Sequence, residues 1–219
     1  MKNDFLYRSF NDTIDKAYII TLTNNNISSS LSQRCYESCQ KVGQNCEFWE
    51  AFDGTGPQLV IPKNLEKQSW YKWLKVFDHQ QSLAEIATSL SHISLWVKCM
   101  EEDRPLIVLE HDAIMVKKHT KHKNFNTIQY LGCKEIKSDP TIPANKLYSA
   151  INKNWIFINR AHAYSIDPLS AKKLFKNVLE RGIFESADVM IRLEDIAIHY
   201  DGLYAYDEPG ETTIKMRKK

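Results

Sequence analysis

The chain has 219 residues, 43% of them hydrophobic and 26% charged, with seven Gly and seven Pro. This composition excludes the disordered and fibrous classes, and the length suits a single domain with a real core. A net charge of +2 lacks the basic excess of a nucleic-acid binder, and no stretch approaches the roughly 18 apolar residues that a membrane span needs.

The first residues lead into no long apolar segment of a signal peptide, so a cytoplasmic protein is expected. Five cysteines, Cys35, Cys39, Cys46, Cys99 and Cys133, are odd in number and match no paired metal-ligand spacing. They read as reduced, mostly buried thiols. One domain over 1–219 is expected, with 1–16 and 214–219 as peripheral tails.

Ala17 to Leu22 is a short β-type run that stops at the asparagines 24 to 26, a turn signal. Between Ser32 and Val42, polar residues alternate with Cys35, Tyr36, Cys39 and Val42 at helical spacing, and Gly43 supplies the stop. Cys46 to Ala51 alternates with a period near two. Strand, helix and strand in this order predict a βαβ unit with parallel pairing. Residues 55 to 80 carry Pro57, Pro62 and the aromatics Trp70, Tyr71, Trp73 and Phe77, and read as a loop and short-helix excursion whose rings pack in a core or lid. Ser82 and Glu85 have the spacing of a capping box, and Leu83, Ile86, Ala87, Leu90, Ile93, Ser94 and Val97 follow at helical intervals. A buried strand over Leu106 to Leu109 comes next.

Lys117 to Lys123 is a dense basic run expected to be a solvated loop, and the poorly patterned stretch to Asn152 is expected to be flexible loops. Trp155 to Ile158 and Ala163 to Ile166 look like two strands. Asp167 followed by Pro168 predicts a helix start, with an apolar stripe through Leu174 and Val178 and a stop at Gly182. The short run Ile196 to Tyr200 comes beyond it.

The chemistry concentrates at Glu110, His111 and Asp112, directly after the buried strand. In an open α/β sheet the crevice beyond the carboxyl ends of the strands is where ligands bind. Alternation along an extended chain would point Glu110 and Asp112 one way and His111 the other. Two carboxylates with a shared direction suit a hard divalent cation, Mn²⁺ or Mg²⁺, that could in turn hold a diphosphate. The competing reading is a solvated acidic turn.

Ala17 to Leu22, Ala51 to Gly54, Ala84 to His92 with Trp96, Ile107 to Ala113, and Ala163 to Ile166 with Ser170 to Leu174 together resemble glycosyltransferase family 25, the lipooligosaccharide and collagen galactosyltransferase-like group. The resemblance implies a GT-A fold, a Rossmann-type α/β architecture with a mixed, mostly parallel sheet flanked by helices. It also implies a nucleotide-sugar donor, with UDP as the expected nucleotide, a divalent metal, and inverting transfer of a galactose-like sugar to a glycan or other hydroxyl acceptor. Lipopolysaccharide biosynthesis is the expected setting. Carried over, Asp112 is the metal ligand, Glu110 sits nearer the ribose or a metal-bound water, and Thr21, Ser91 and His92 fall at donor positions. His111 departs from the family's Glu-Asp-Asp, and Thr21 stands where the family's first strand has Asn.

Inversion needs a base on the far face of the sugar. Asp188, in a stretch similar to an Ala-Asp pair of the family, is the candidate, with Glu194 and Asp195 behind it. Capping of the short helix after it is the alternative for Asp188. Asp53 is placed to accept hydrogen bonds from a nucleoside, or forms a turn. His199 could complete the metal shell, or is a plain strand residue; Arg34 is more simply a solvated helix residue. Rival functions are a non-catalytic glycan- or nucleotide-sugar-binding module and a nucleotidyltransferase. The absence of Gly-x-Gly-x-x-Gly and P-loop runs weighs against dinucleotide enzymes and P-loop kinases.

Overall fold

The computed structural model describes residues 12–76, 82–132, 146–147, 156–158 and 160–207. Within them a seven-stranded mixed sheet runs in the order β2-β1-β3-β7-β5-β8-β6. Its strands are β1 (Ala17–Thr21), β2 (Cys46–Glu50), β3 (Leu106–Glu110), β5 (Thr127–Tyr130), β6 (Lys146–Leu147), β7 (Ala163–Ile166) and β8 (Ala197–Tyr200). Only β7 and β6 run against the rest, so the sheet is mostly parallel. A separate antiparallel ribbon joins β4 (Ala113–Met115) to β9 (Ala205–Asp207).

Helix α1 (Asn26–Val42) makes the crossover between the parallel strands β1 and β2. It starts earlier than its apolar spacing predicted, because the asparagine cluster is its cap: Asn25 accepts from the Ser28 amide at 3.0 Å. It ends at Gly43, which adopts φ 70°, a left-handed conformation that lacks a Cβ penalty only in glycine. Helix α2 (Leu83–Glu102) carries the expected capping box, with both reciprocal bonds between Ser82 and Glu85. Asp167 caps α3 (Pro168–Arg181) through the amides of Leu169 and Ser170.

Alternation along β1 and β3 divides the core into two layers. Tyr18, Ile20 and Val108 face α2 and α3, whereas Ile19, Ile107 and Leu109 face α1 and the ribbon. Trp70 packs into the first layer, edge-on to Phe52 and to Phe175, while Trp73 remains exposed. Phe77 lies outside the described residues. Cys35, Cys39, Cys46 and Cys99 are free and buried, and Cys133 lies outside the described residues.

Three expectations are corrected. The stretch after Lys117 contains β5, a buried inner strand, because its polar members Thr127 and Gln129 meet buried partners rather than water. In the basic run the four lysines are exposed, but His119 and His122 are buried. His122 Nδ1 lies 2.9 Å from the Ser165 hydroxyl and its Nε2 3.3 Å from Asp167; His119 lies 3.3 Å from Asp201. Of the apolar run expected over Trp155 to Ile158, the described residues 156–158 make one isolated bridge, between Phe157 and Arg192, and no strand. Trp155 itself lies outside the described residues.

Candidate active site

The carboxyl ends of β2, β1 and β3 lie side by side at one edge of the parallel half of the sheet. A cleft enclosing about 680 Å³, open solvent included, occupies that edge, a size suited to a small-molecule ligand. The segments just past the strand ends supply its walls. Ile20 and Leu22 flank the end of β1, Ala51, Phe52 and Gly54 succeed β2, and Glu110, His111 and Asp112 close β3. The amino-terminal half of α2 forms the remaining wall through Ala84, Ala87, Thr88, Ser91 and His92. The cleft is apolar toward β1 and β2 and acidic toward β3, a division that suits a ring at one end and a charged group with its cation at the other.

Glu110 is the last residue of β3 and shares the face of Val108, so its side chain turns toward α2. There its Oε1 lies 3.1 Å from His92 Nε2. Burial pushes this carboxyl up, but the hydrogen bond with His92, with His162 and His111 nearby, holds it below the ordinary value. Asp112 differs. It has a buried oxygen, Oδ1, with no hydrogen-bond partner, and burial, followed by the charges of Glu110 and Asp207, pushes its carboxyl up to about 7. The chain turns after Glu110, so strict alternation ends there and His111 lines the cleft beside its neighbours. Its Nδ1 lies 3.0 Å from the Ser28 hydroxyl in the first turn of α1.

The structure thus gathers Ser91, His92, Glu110 and Asp112 at one cleft. Ser91 holds a wall in place, accepting from the Phe52 amide at 3.0 Å and donating to the Ala87 carbonyl. Thr21 is buried with its hydroxyl turned back to the Ile19 carbonyl, and the residues on either side of it face the cleft. Asp53 lines a smaller adjoining hollow with Leu22, Asn24 and Glu50, and its Oδ1 accepts from the Thr55 amide and hydroxyl. Asp188, Glu194 and His199 do not line the cleft. Asp188 lies in the first turn of a short helix, α4 (Ala187–Met190), whose N-cap position is Ser186, and its Oδ1 accepts from the Ser186 hydroxyl and the Val189 amide. Glu194 is exposed beside Arg192, and Asp195 pairs with Arg181. His199 lies on β8, three strand positions from β3, about 14 Å away at the usual strand spacing. Arg34 is exposed on α1.

Two residues that sequence reasoning missed sit beside Asp112. Asp207, the end of β9, pairs in register with Ala113, and its Oδ1 is buried without a partner. Its other oxygen bonds to Arg160, a residue held at φ 68°. A carboxylate closing an alternating run at Ala205 to Asp207 was the only local signal for Asp207.

Gly54 sets the width of the cleft. A Cβ there would stand 2.1 Å from the Leu83 carbonyl oxygen, so any side chain must push the first turn of α2 away from the end of β2. Gly54→Ala is expected to destabilise the protein by about 1–3 kcal/mol, as other overpacked sites do. Affinity for a ligand of this cleft should fall about tenfold, measurable by calorimetry; unchanged affinity would mean that this wall does not meet the ligand.

A family model described as glycosyltransferase family 25 (LPS biosynthesis protein) matches residues 14–191, most of the chain and every residue that lines the cleft. The chain belongs to glycosyltransferase family 25. It is therefore a glycosyltransferase, and its mixed α/β sheet is a Rossmann-like fold for that chemistry. No curated protein matches the sequence. Among the described residues, no helix is long and apolar enough to cross a membrane.

Glycosyltransferases of the fold that the resemblance implies use a divalent cation, and the residues here can be tested against one. No three His, Cys, Asp or Glu side chains among the described residues converge to close a shell by themselves. Glu110 and Asp112 nevertheless fit a hard cation that takes its other ligands from a diphosphate and water, since Asp112 presents an oxygen with no protein partner and has the Glu110 carboxylate at its side.

Proposed function

We infer that this family 25 glycosyltransferase moves a galactose-like hexose from a nucleotide-diphosphate donor, UDP-hexose in the first instance, to a hydroxyl of a lipopolysaccharide-type glycan. The observation that carries this reading is the unpartnered Asp112 oxygen beside Glu110, at the acidic end of a cleft that is otherwise apolar. The apolar half, between Ile20, Phe52 and Ala87, takes the nucleoside. The acidic half takes the diphosphate with its cation, held by Asp112 and Glu110. When bound, Mn²⁺ or Mg²⁺ neutralises the charge that builds on the leaving diphosphate. The chain's own residues orient the donor and shield it: α2 covers one side, and Ser91 and Gly54 fix the distance between α2 and the strand ends.

Asp188 and Glu194 take no part in this reading, because neither lines the cleft and each is held by near neighbours. Transfer with inversion rests on the resemblance alone, and the anomeric configuration of the product, read by NMR, tests it. The decisive assay incubates the protein with a panel of nucleotide sugars with and without Mn²⁺. Cation-dependent release of nucleotide is expected from one of them. Binding without release would favour a non-catalytic module, and turnover of a nucleoside triphosphate instead would favour a nucleotidyltransferase.

A further inference from the structure

Behind Glu110 lies a line of buried polar side chains that the transfer reading does not use. His92 and Trp96 are four residues apart on α2 and so share one face. Tyr164 on β7 stands opposite Val108 on β3, on the same sheet face as Glu110 two residues later. All three, His92, Trp96 and Tyr164, have no solvent exposure. The Trp96 indole N–H donates to the Tyr164 hydroxyl at 2.9 Å. That hydroxyl lies 3.0 Å from His92 Nδ1, and His92 Nε2 lies 3.1 Å from Glu110 Oε1. The imidazole also stacks on the phenol ring, with centroids 5.8 Å apart and planes at 15°.

The donor inventory fixes the direction of every bond. An indole nitrogen can only donate, so the Tyr164 oxygen accepts from Trp96 and keeps its own proton to give away. The His92 Nδ1 lone pair receives that proton, which leaves Nε2 carrying the ring's hydrogen, aimed at the Glu110 carboxylate. The reverse tautomer would bring two donors to the Tyr164 oxygen, strand its hydroxyl proton in the core, and set a bare nitrogen against a carboxylate oxygen. A buried donor left unpaired is expensive, so the alternatives lose. Desolvation keeps the Tyr164 phenol far above its ordinary value, consistent with a hydroxyl that always has a proton to donate.

We propose that Trp96, Tyr164 and His92 form an ordered hydrogen-bond chain that fixes His92 as the neutral tautomer protonated at Nε2, and that this chain holds Glu110 in one orientation against the donor cleft. Tyr164 and Trp96 are then positioning residues for a reaction that neither touches. The sequence places Trp96 and Tyr164 well apart in the chain, and only the packing of α2 over β3 and β7 brings them in line.

The hydrogen-bond chain rests on the transferase reading for its consequence but not for its geometry, and the test separates the two. The protein is labelled with ¹⁵N-histidine, and the His92 signals are identified by their absence from His92→Gln. At one fixed pH, without substrate, the wild-type nitrogen spectrum is expected to show His92 protonated at Nε2 alone. Tyr164→Phe keeps the stacked ring and removes the hydroxyl. It should release the tautomer into a mixture and lower kcat about tenfold, with the KM for the acceptor unchanged. A wild-type His92 protonated at Nδ1, or at both nitrogens, overturns the chain; the assignment is made with His92→Asn if His92→Gln does not fold. A tautomer indifferent to Tyr164→Phe also overturns it. A changed tautomer with an unchanged transfer rate overturns the positioning role. If the wild type releases nucleotide from no donor, the transferase reading fails, while the spectrum still reports on the chain.

Discussion

Asp112→Asn is expected to stop sugar transfer and, at the same time, to make the metal-free protein more stable. The carboxyl is raised to about 7 from an ordinary 3.8, first by burial and then by Glu110 and Asp207. Because the folded-state value lies above the unfolded one, the folded protein holds this proton more tightly. The group is therefore harmless below about pH 4, and its unfavourable charge is progressively imposed as pH rises through 7. An amide of the same shape carries no charge to bury. After allowance for partial exposure, we expect a gain on the order of 2 kcal/mol at pH 8, which is about 4–8 °C in Tm for a chain of this size, and little gain at pH 4. Transfer should fall by about three orders of magnitude, because the oxygen offered to the cation is lost. Added Mn²⁺ should raise the Tm of the wild type and leave that of the variant unchanged. A variant that melts no higher than the wild type at pH 8 would show that burial of the Asp112 charge does not strain the fold.

The largest loss of stability is expected at a residue outside the cleft. Asp167 is fully buried and serves several masters. One oxygen caps α3 through Leu169 and Ser170, and the other accepts from the Thr127 amide and the Ser170 hydroxyl and faces His122. Burial raises its carboxyl, but His122 and Ser170, with the Thr127 amide, outweigh that and hold it below the ordinary value. With the folded value depressed, its contribution is present above about pH 4 and is lost as acid titrates the carboxyl in the folded state. Asp167→Ala would leave a helix start uncapped, the β5 amide unpaired and His122 without the carboxylate it faces. Urea unfolding should show a loss of about 3–5 kcal/mol, a large part of the 5–15 kcal/mol typical of a domain. Asp167→Asn should lose less, since its amide oxygen can still cap α3. A loss below about 1 kcal/mol for the alanine would mean that the buried histidines hold β5 without it.

These two residues also mark what could be read from the amino acids alone. Asp167 beside Pro168, Ser82 with Glu85, and the apolar run at Leu106 announce their elements through signals a few residues long, and the structure bears them out. The first βαβ unit was legible for the same reason. Strand β5 was not, because Thr127 and Gln129 look solvated until Ser165 and Asp167 arrive from elsewhere in the chain. The same holds for His119 and His122, hidden in a basic run whose lysines do face outward. At the site, Glu110 and Asp112 were found because a strand end is a local property, and Ser91 and His92 through the family resemblance. Asp207 and Arg160 were missed because only the β4–β9 ribbon, a pairing of distant segments, carries them to Asp112.

That ribbon bears on where this enzyme stops being divisible. The portion recognisable as family 25 ends at residue 191, yet β8 lies within the sheet between β5 and β6, and β9 is zipped to the residues immediately after the acidic turn. A polypeptide cut at the recognisable limit would keep every side chain that lines the cleft while baring the flank of β5 and unclasping the floor beneath Asp112. The folding unit is longer than the family signature, and its last clasp is fastened directly beneath the chemistry.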